Sequence, residues 1–277
     1  MIEVIKEMLS EPIVVRALVV GVLVSLCASV LGVSLVLKRY SMIGDGLSHV
    51  GFGSMALATA LNTQPFVVSI PIVVLAAFLL LRVSENSKIK GDALIALIST
   101  SSLAIGVMIV SLSTGMNTDV CNYLFGSLFS LTKSDVRLSI GLSIFILVSF
   151  LFLYNRIFAV TFDEIFAKAT GTKVKFYSSF IAMLTAFIIV LGMRMMGALL
   201  ISSLIIFPAL TSMRVHKKFK SVAISSAIIS VVCLLVGMYL SYEYSTPGGA
   251  SVVVCNMAVF ATYSGIALVK GRTANRE

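Results

Sequence analysis

Residues Ile13–Leu37 read IVVRALVVGVLVSLCASVLGVSLVL, 25 residues in which Arg16 is the only charge. A helix needs about 20 mainly apolar residues to cross a bilayer, so this run is long enough to span one. No compact basic segment followed by a small-residue cleavage site precedes it, so it reads as a retained span and not a signal peptide. Similar runs follow at Gly44–Leu61, Pro65–Leu81, Ala93–Leu112 and Val136–Tyr154, and, after a polar stretch, at Phe176–Leu191, Gly197–Met213, Phe219–Leu240 and Ala250–Val269. The expected fold is an all-α, polytopic bundle of nine transmembrane helices, or eight if one of the short runs is re-entrant.

Composition agrees. Of 277 residues, 58% are hydrophobic and 12% are charged, against roughly 25% charged in soluble domains. A soluble fold could not cover so much apolar surface, and disorder, coiled coils and disulfide scaffolds are excluded on the same ground. Cys27, Cys121, Cys233 and Cys255 lack metal-knuckle spacing and read as small apolar residues.

The net charge of +9 would suggest a nucleic-acid partner in a soluble protein, but here its placement matters. If the linker holding Lys38 and Arg39 is cytoplasmic, strict alternation of nine spans puts 16 basic residues inside and 5 outside. Cytoplasmic loops gather Lys and Arg, so the C-terminus is expected in the cytoplasm and the N-terminus outside. With no Trp in the chain, Tyr must supply the interfacial belt, and seven of the eight tyrosines fall at span ends.

Ionisable residues inside the spans are scarce, which singles out Asp45 and His49 in Gly44-Asp45-Gly46-Leu47-Ser48-His49. Four residues apart, they share one helix face, one turn from each other. An Asp within lipid costs about 2.5–3.5 kcal/mol and calls for a reason. A carboxylate beside an imidazole suits a divalent transition metal, and two ligands suit weak, transient holding. The alternative is structural: Asp45 serves a helix end and a neighbouring carbonyl holds His49. His216, beside Lys217 and Lys218, reads as a solvated loop residue.

The polar stretch Thr161–Gly171 reads as a short amphipathic helix closed by Gly171, with Phe162, Ile165, Phe166 and Ala169 on one stripe. Such a stripe can dock in a partner's groove or lie flat on the membrane. Gly197–Pro208 is a span rich in small residues with a late proline, a packing and kink signal. No G-x-x-x-x-G-K-[S/T] phosphate loop occurs, so ATP-driven transport would need its ATPase on another chain.

Together these segments resemble the permease subunit of bacterial ATP-binding-cassette importers for zinc, manganese and iron. The resemblance is carried by Leu31–Gly53, with its Asp-x-x-Ser-His run, by Asp163–Gly171, by Gly197–Pro208 and by Leu124-Phe125-Gly126. Ser54 departs from the glycine many relatives have there. The resemblance implies a type II importer fold forming one transmembrane permease domain over 1–277, in a bacterial inner (cytoplasmic) membrane. It implies a homodimer whose interface forms the path, two cytoplasmic ATP-binding subunits and an extracytoplasmic metal-binding protein. Asp45 and His49 become path ligands for a transported zinc or manganese ion, with iron within the family's range. Asp163, Glu164, Phe166, Ala167 and Gly171 become the segment that couples to the ATPase around 162–171. No catalytic residue and no permanently bound cofactor is implied. Two other readings stay open: a gradient-driven secondary metal transporter, which predicts inverted repeats and more buried carboxylates, and a permease for a metal chelate, which needs a wider cavity.

Overall fold

The computed structural model describes residues 10–86, 91–113, 126 and 132–274. The expected Leu124-Phe125 motif and Cys121 lie outside the described residues. Eleven helices and no strand occur among those described. They are α1 (Pro12–Leu37), α2 (Ile43–Ala60), α3 (Pro65–Asn86), α4 (Gly91–Ser113), α5 (Lys133–Phe152), α6 (Tyr154–Phe162), α7 (Glu164–Ala169), α8 (Val174–Met196), α9 (Ala198–Met213), α10 (Phe219–Tyr244) and α11 (Gly248–Ala274).

Seven of these, α1, α3, α4, α5, α8, α10 and α11, are long and apolar enough to cross a membrane. The other two expected spans are also helical. α9 is apolar but has only 16 residues, and α2 is polar at its start, where Asp45 and His49 sit. The run expected to continue to Tyr154 stops at Phe152, and α6 starts anew at Tyr154. Edge-to-face and tilted ring contacts hold that corner: Tyr154 lies 6.3 Å from Phe150 and 5.6 Å from Phe219, centroid to centroid.

α1 is the central post, packed against α5, α6, α8, α9 and α10. Lipid tails are as apolar as the helix faces, so close approach and hydrogen bonding must hold the spans together. The α1–α10 seam shows both. Ser226 Oγ donates to the Ser29 carbonyl at 3.2 Å, and Ser230 Oγ donates to the Ser25 carbonyl at 3.1 Å. The two pairs are one turn apart on antiparallel helices, and Gly21 continues the seam against Leu234. Cys27 and Cys233 are buried within this bundle as free thiols.

α1 ends in a tight reversal. Lys38 caps it, Arg39 takes a left-handed φ of 61°, and Tyr40 N–H reaches back to the Leu35 carbonyl at 2.8 Å. That is a Schellman closure with Arg in the place glycine usually holds. α2 begins at once at Ile43.

The break between α8 and α9 has a cause the sequence did not disclose. Gly197 sits at φ 84°, ψ 160°, a region essentially closed to residues with a Cβ, and it serves both helices as cap. Gly126, also at positive φ, backs directly onto the Met196–Gly197 peptide; a Cβ there would lie 2.2 Å from the Met196 carbonyl carbon. Gly197 therefore acts as a backbone hinge point, beyond the small-residue packing expected of it. Pro208 is buried inside α9, which continues through it to Met213.

Candidate functional site

α2 is wedged among α3, α4, α8 and α9, with two thirds of its residues buried and the rest half-buried. From Ile43 to Ala58 the residues that are not buried are Asp45, His49, Gly53 and Leu57. Their spacing of four makes one narrow, half-buried stripe along the helix, closed at Gly53 by α4, where an added Cβ would lie 2.8 Å from the Ser102 carbonyl oxygen. The expected pair thus shares its face with two further positions that sequence reading did not single out, although the same period marks them.

Asp45 lies in the first turn of α2, where the helix dipole favours a negative charge. Its Oδ2 is 3.7 Å from His49 Nε2, an ion-pair separation too long for a hydrogen bond. Side-chain exposure is 44% for Asp45 and 20% for His49, so the pair lies shallowly at the edge of the stripe. His49 Nδ1 is buried and has no hydrogen-bond partner among the described residues. The neighbouring carbonyl that a structural role would require for that nitrogen is absent there. Ser48, one residue earlier, closes on the Asp45 carbonyl at 2.7 Å and stiffens the turn. Among the described residues no group of three or more His, Cys, Asp or Glu could hold a metal ion.

The segment 162–171 holds α7 and its caps. Asp163 is the N-cap, its carboxylate accepting from Phe166 N–H at 2.9 Å, and Gly171, at φ 79°, turns the chain away after it. Ile165, Phe166 and Ala169 of α7 are exposed, with Ile165 at 84%; Phe162 is exposed too, but it ends α6, because the single helix expected over 161–171 is broken at the extended Asp163. Ala167 is the exception: it is fully buried and forms the contact of α7 with the bundle. Glu164 is bound inward as well. Lys38 Nζ donates to Glu164 Oε1 at 2.7 Å and to Ser178 Oγ at 2.9 Å, with the lysine side chain only 7% exposed. One ammonium thus ties the end of α1 to α7 and α8.

A second ion pair lies at the far end of α8, and sequence reading missed it. Arg194 Nη2 donates to Asp135 Oδ2 at 3.2 Å and stacks over the Phe66 ring at 5.2 Å from its centroid. Asp135 also completes a capping box with Thr132 at the start of α5. The Thr-x-x-Asp spacing could have revealed the cap, but the partner 59 residues away left no sequence signal. Arg194→Met is expected to cost about 1.5–3 kcal/mol, the range for hydrogen bonds to charged groups. Asp135→Ala should cost more, because it also removes the cap. Thermal unfolding of the single and double variants in detergent would show less-than-additive losses; strict additivity would mean the two groups do not interact.

Comparison with known proteins follows this geometry. Residues 10–266 match the ABC 3 transport family. The chain is 31% identical over 245 residues to the high-affinity zinc uptake system membrane protein ZnuB of Haemophilus influenzae, covering 88% of this chain and 94% of that protein. It is 28% identical to the manganese import system permease protein ScaB of Streptococcus gordonii, covering 88% of each. Among solved structures, PsaBC from Streptococcus pneumoniae, in complex with Fab, superposes with a TM-score of 0.86 at 27% identity, covering 95% of both chains. A family match over nearly the whole chain, on a bundle of membrane-length helices, places the protein plainly: the chain belongs to the ABC 3 transport family.

Proposed function

We propose that the chain is the membrane-spanning permease subunit of an ATP-driven importer that carries a divalent transition-metal ion, zinc or manganese, into the cytoplasm. The observation that carries this reading is the half-buried stripe of α2. A carboxylate and an imidazole occupy the one face of a largely buried helix that the rest of the chain leaves partly exposed. Facing lipid, that pair would be costly; facing a second copy, it would supply a narrow path with four ligands. We therefore read the assembly as a homodimer with the stripe at its interface, and the whole chain as one permease domain. The relatives named for zinc and manganese uptake support this choice of cargo.

Two cytoplasmic ATP-binding subunits and an extracytoplasmic metal-binding protein complete the importer in this reading. The distribution of Lys and Arg puts the C-terminus and α7 on the cytoplasmic side. The outward Phe162, Ile165 and Phe166 then form the docking face, while Asp163 and Gly171 set the ends of α7, and Ala167 and Glu164 hold it to the bundle. A cysteine at Ile165 should cross-link to the ATPase far more than one at Ala167, which points inward. Equal or absent cross-linking at both, in an active complex, would count against docking there. Glu164→Gln is expected to leave ATP hydrolysis running while lowering the metal moved per ATP, because α7 loses its charged tie. An unchanged ratio would make the tie purely structural.

The test of the function is uptake by proteoliposomes holding the chain and its ATPase, with loaded binding protein outside, comparing zinc with manganese, with and without ATP. ATP-dependent uptake of either ion supports the reading. Uptake that follows an ion gradient and ignores ATP would favour a secondary transporter.

A further inference from the structure

α5 and α10 both pack on α1 but leave a gap between them. The gap is a groove of about 860 Å³. Its wall is apolar along most of its length, with Leu26 of α1, Phe150 of α5, and Ile224 and Ile228 of α10 among the lining residues. Polar groups gather at one end only: Tyr154 and Asn155 of α6 and Lys220 in the first turn of α10. From Lys220 to Val232, the last lining residue of α10, twelve helical steps give about 18 Å. Half of a hydrocarbon core of about 30 Å is about 15 Å, so the groove is one leaflet deep.

We propose that this groove is a binding site for a single anionic phospholipid, one of its acyl chains lying along α10 and its phosphate at Lys220 and Asn155. A slot one leaflet deep, greasy throughout and cationic at its mouth, has the form of an amphiphile with a negative head. No Asp or Glu lines it, and Lys217 and Lys218 add positive charge just before α10. Basic pockets between transmembrane helices recognise anionic headgroups in this way. The lipid's leaflet, the cytoplasmic one, rests on the orientation proposed above; the headgroup preference does not.

The chain contains no Trp, so a single introduced Trp is its only indole emitter. Ile228→Trp places one in the groove wall, and Leu75→Trp places one on α3, outside the groove; the native side chains are 59% and 62% exposed. The full chain carrying either substitution would be put in phosphatidylcholine nanodiscs with increasing brominated phosphatidylglycerol. Half-quenching of the groove Trp should need about fivefold less of the anionic lipid than the control, the effect of one lysine near a headgroup. The difference should vanish with brominated phosphatidylcholine, and also on adding Lys220→Gln. Equal quenching at both positions, or the same preference for the neutral lipid, would overturn the proposal. So would a groove Trp that neither lipid quenches, because a protein surface would then cover the slot. The readout needs no metal, ATP or ATPase, so its failure is separate from failure of the importer reading.

Discussion

Asp45→Asn and His49→Ala are each expected to lower ATP-dependent metal uptake by at least roughly 10–100-fold in the reconstituted complex. That is the loss caused by removing groups that merely orient a metal ligand, so loss of a ligand itself should equal or exceed it. Asn keeps the shape of Asp45 while removing its charge. Ala removes the imidazole, whose Nδ1 has no hydrogen bond to lose among the described residues. Asp45 is 44% exposed, so Asp45→Asn should leave thermal stability close to wild type, whereas the His49 side chain is only 20% exposed and His49→Ala should lower stability while leaving assembly with the ATPase intact. The relative sizes are informative: imidazole suits zinc and carboxylate suits manganese, so the larger loss should fall on His49 for zinc and on Asp45 for manganese. Unchanged uptake in both variants would make the pair structural, and the family membership would stand without its site.

Gly32→Ala should give a large loss of stability from one methyl group. Gly32 lies where α1 crosses α9, and a Cβ there would sit 2.1 Å from the Ile205 carbonyl oxygen and 2.9 Å from its carbonyl carbon. The obstacle is backbone, so no rotamer change relieves it and the two helices must part. Over-packing of this kind costs about 1–3 kcal/mol, and more where the main chain must move. Gly141→Ala in α5 is the matched control, because nothing lies within 4 Å of its added Cβ. There the substitution should be neutral or stabilising by about 0.5–1 kcal/mol through helix propensity. Apparent melting temperatures of the two variants in detergent should therefore move in opposite directions. A Gly32→Ala protein as stable as wild type would mean that the α1–α9 contact is looser than described.

Much of this molecule could be read before its structure was known, because in a bilayer solvent chemistry acts on one residue at a time. Each apolar run long enough to span is a helix, and the scarcity of charge in those runs made Asp45 and His49 conspicuous. The short helix at 164–169 was equally legible from its stripe, Asp163 and Gly171. Which faces meet was not legible. Ala167 looks like any small residue in sequence, yet it is the point at which α7 touches the bundle. Gly197 reads as a packing glycine until its dihedrals show that no other residue fits. The break at Leu153 left no signal, because Phe150, Tyr154 and Phe219 hold it from different helices. The partner of Arg194 is distant in sequence, and no period or spacing connects two residues that only tertiary structure brings together.

The Lys38 tie has a mechanical consequence. Lys38 is the residue on which α1 closes, and after it come only Arg39, Tyr40, Ser41 and Met42 before α2 begins. The Schellman closure makes that stretch a stiff elbow. In an importer, a force applied to α7 would therefore not have to cross the bundle to reach the cargo. It would pass through one ammonium into the elbow and emerge seven residues later at Asp45. The lever that the ATPase pulls and the seat that holds the ion would share a single joint, and the stroke at one would be felt at the other with little slack between them.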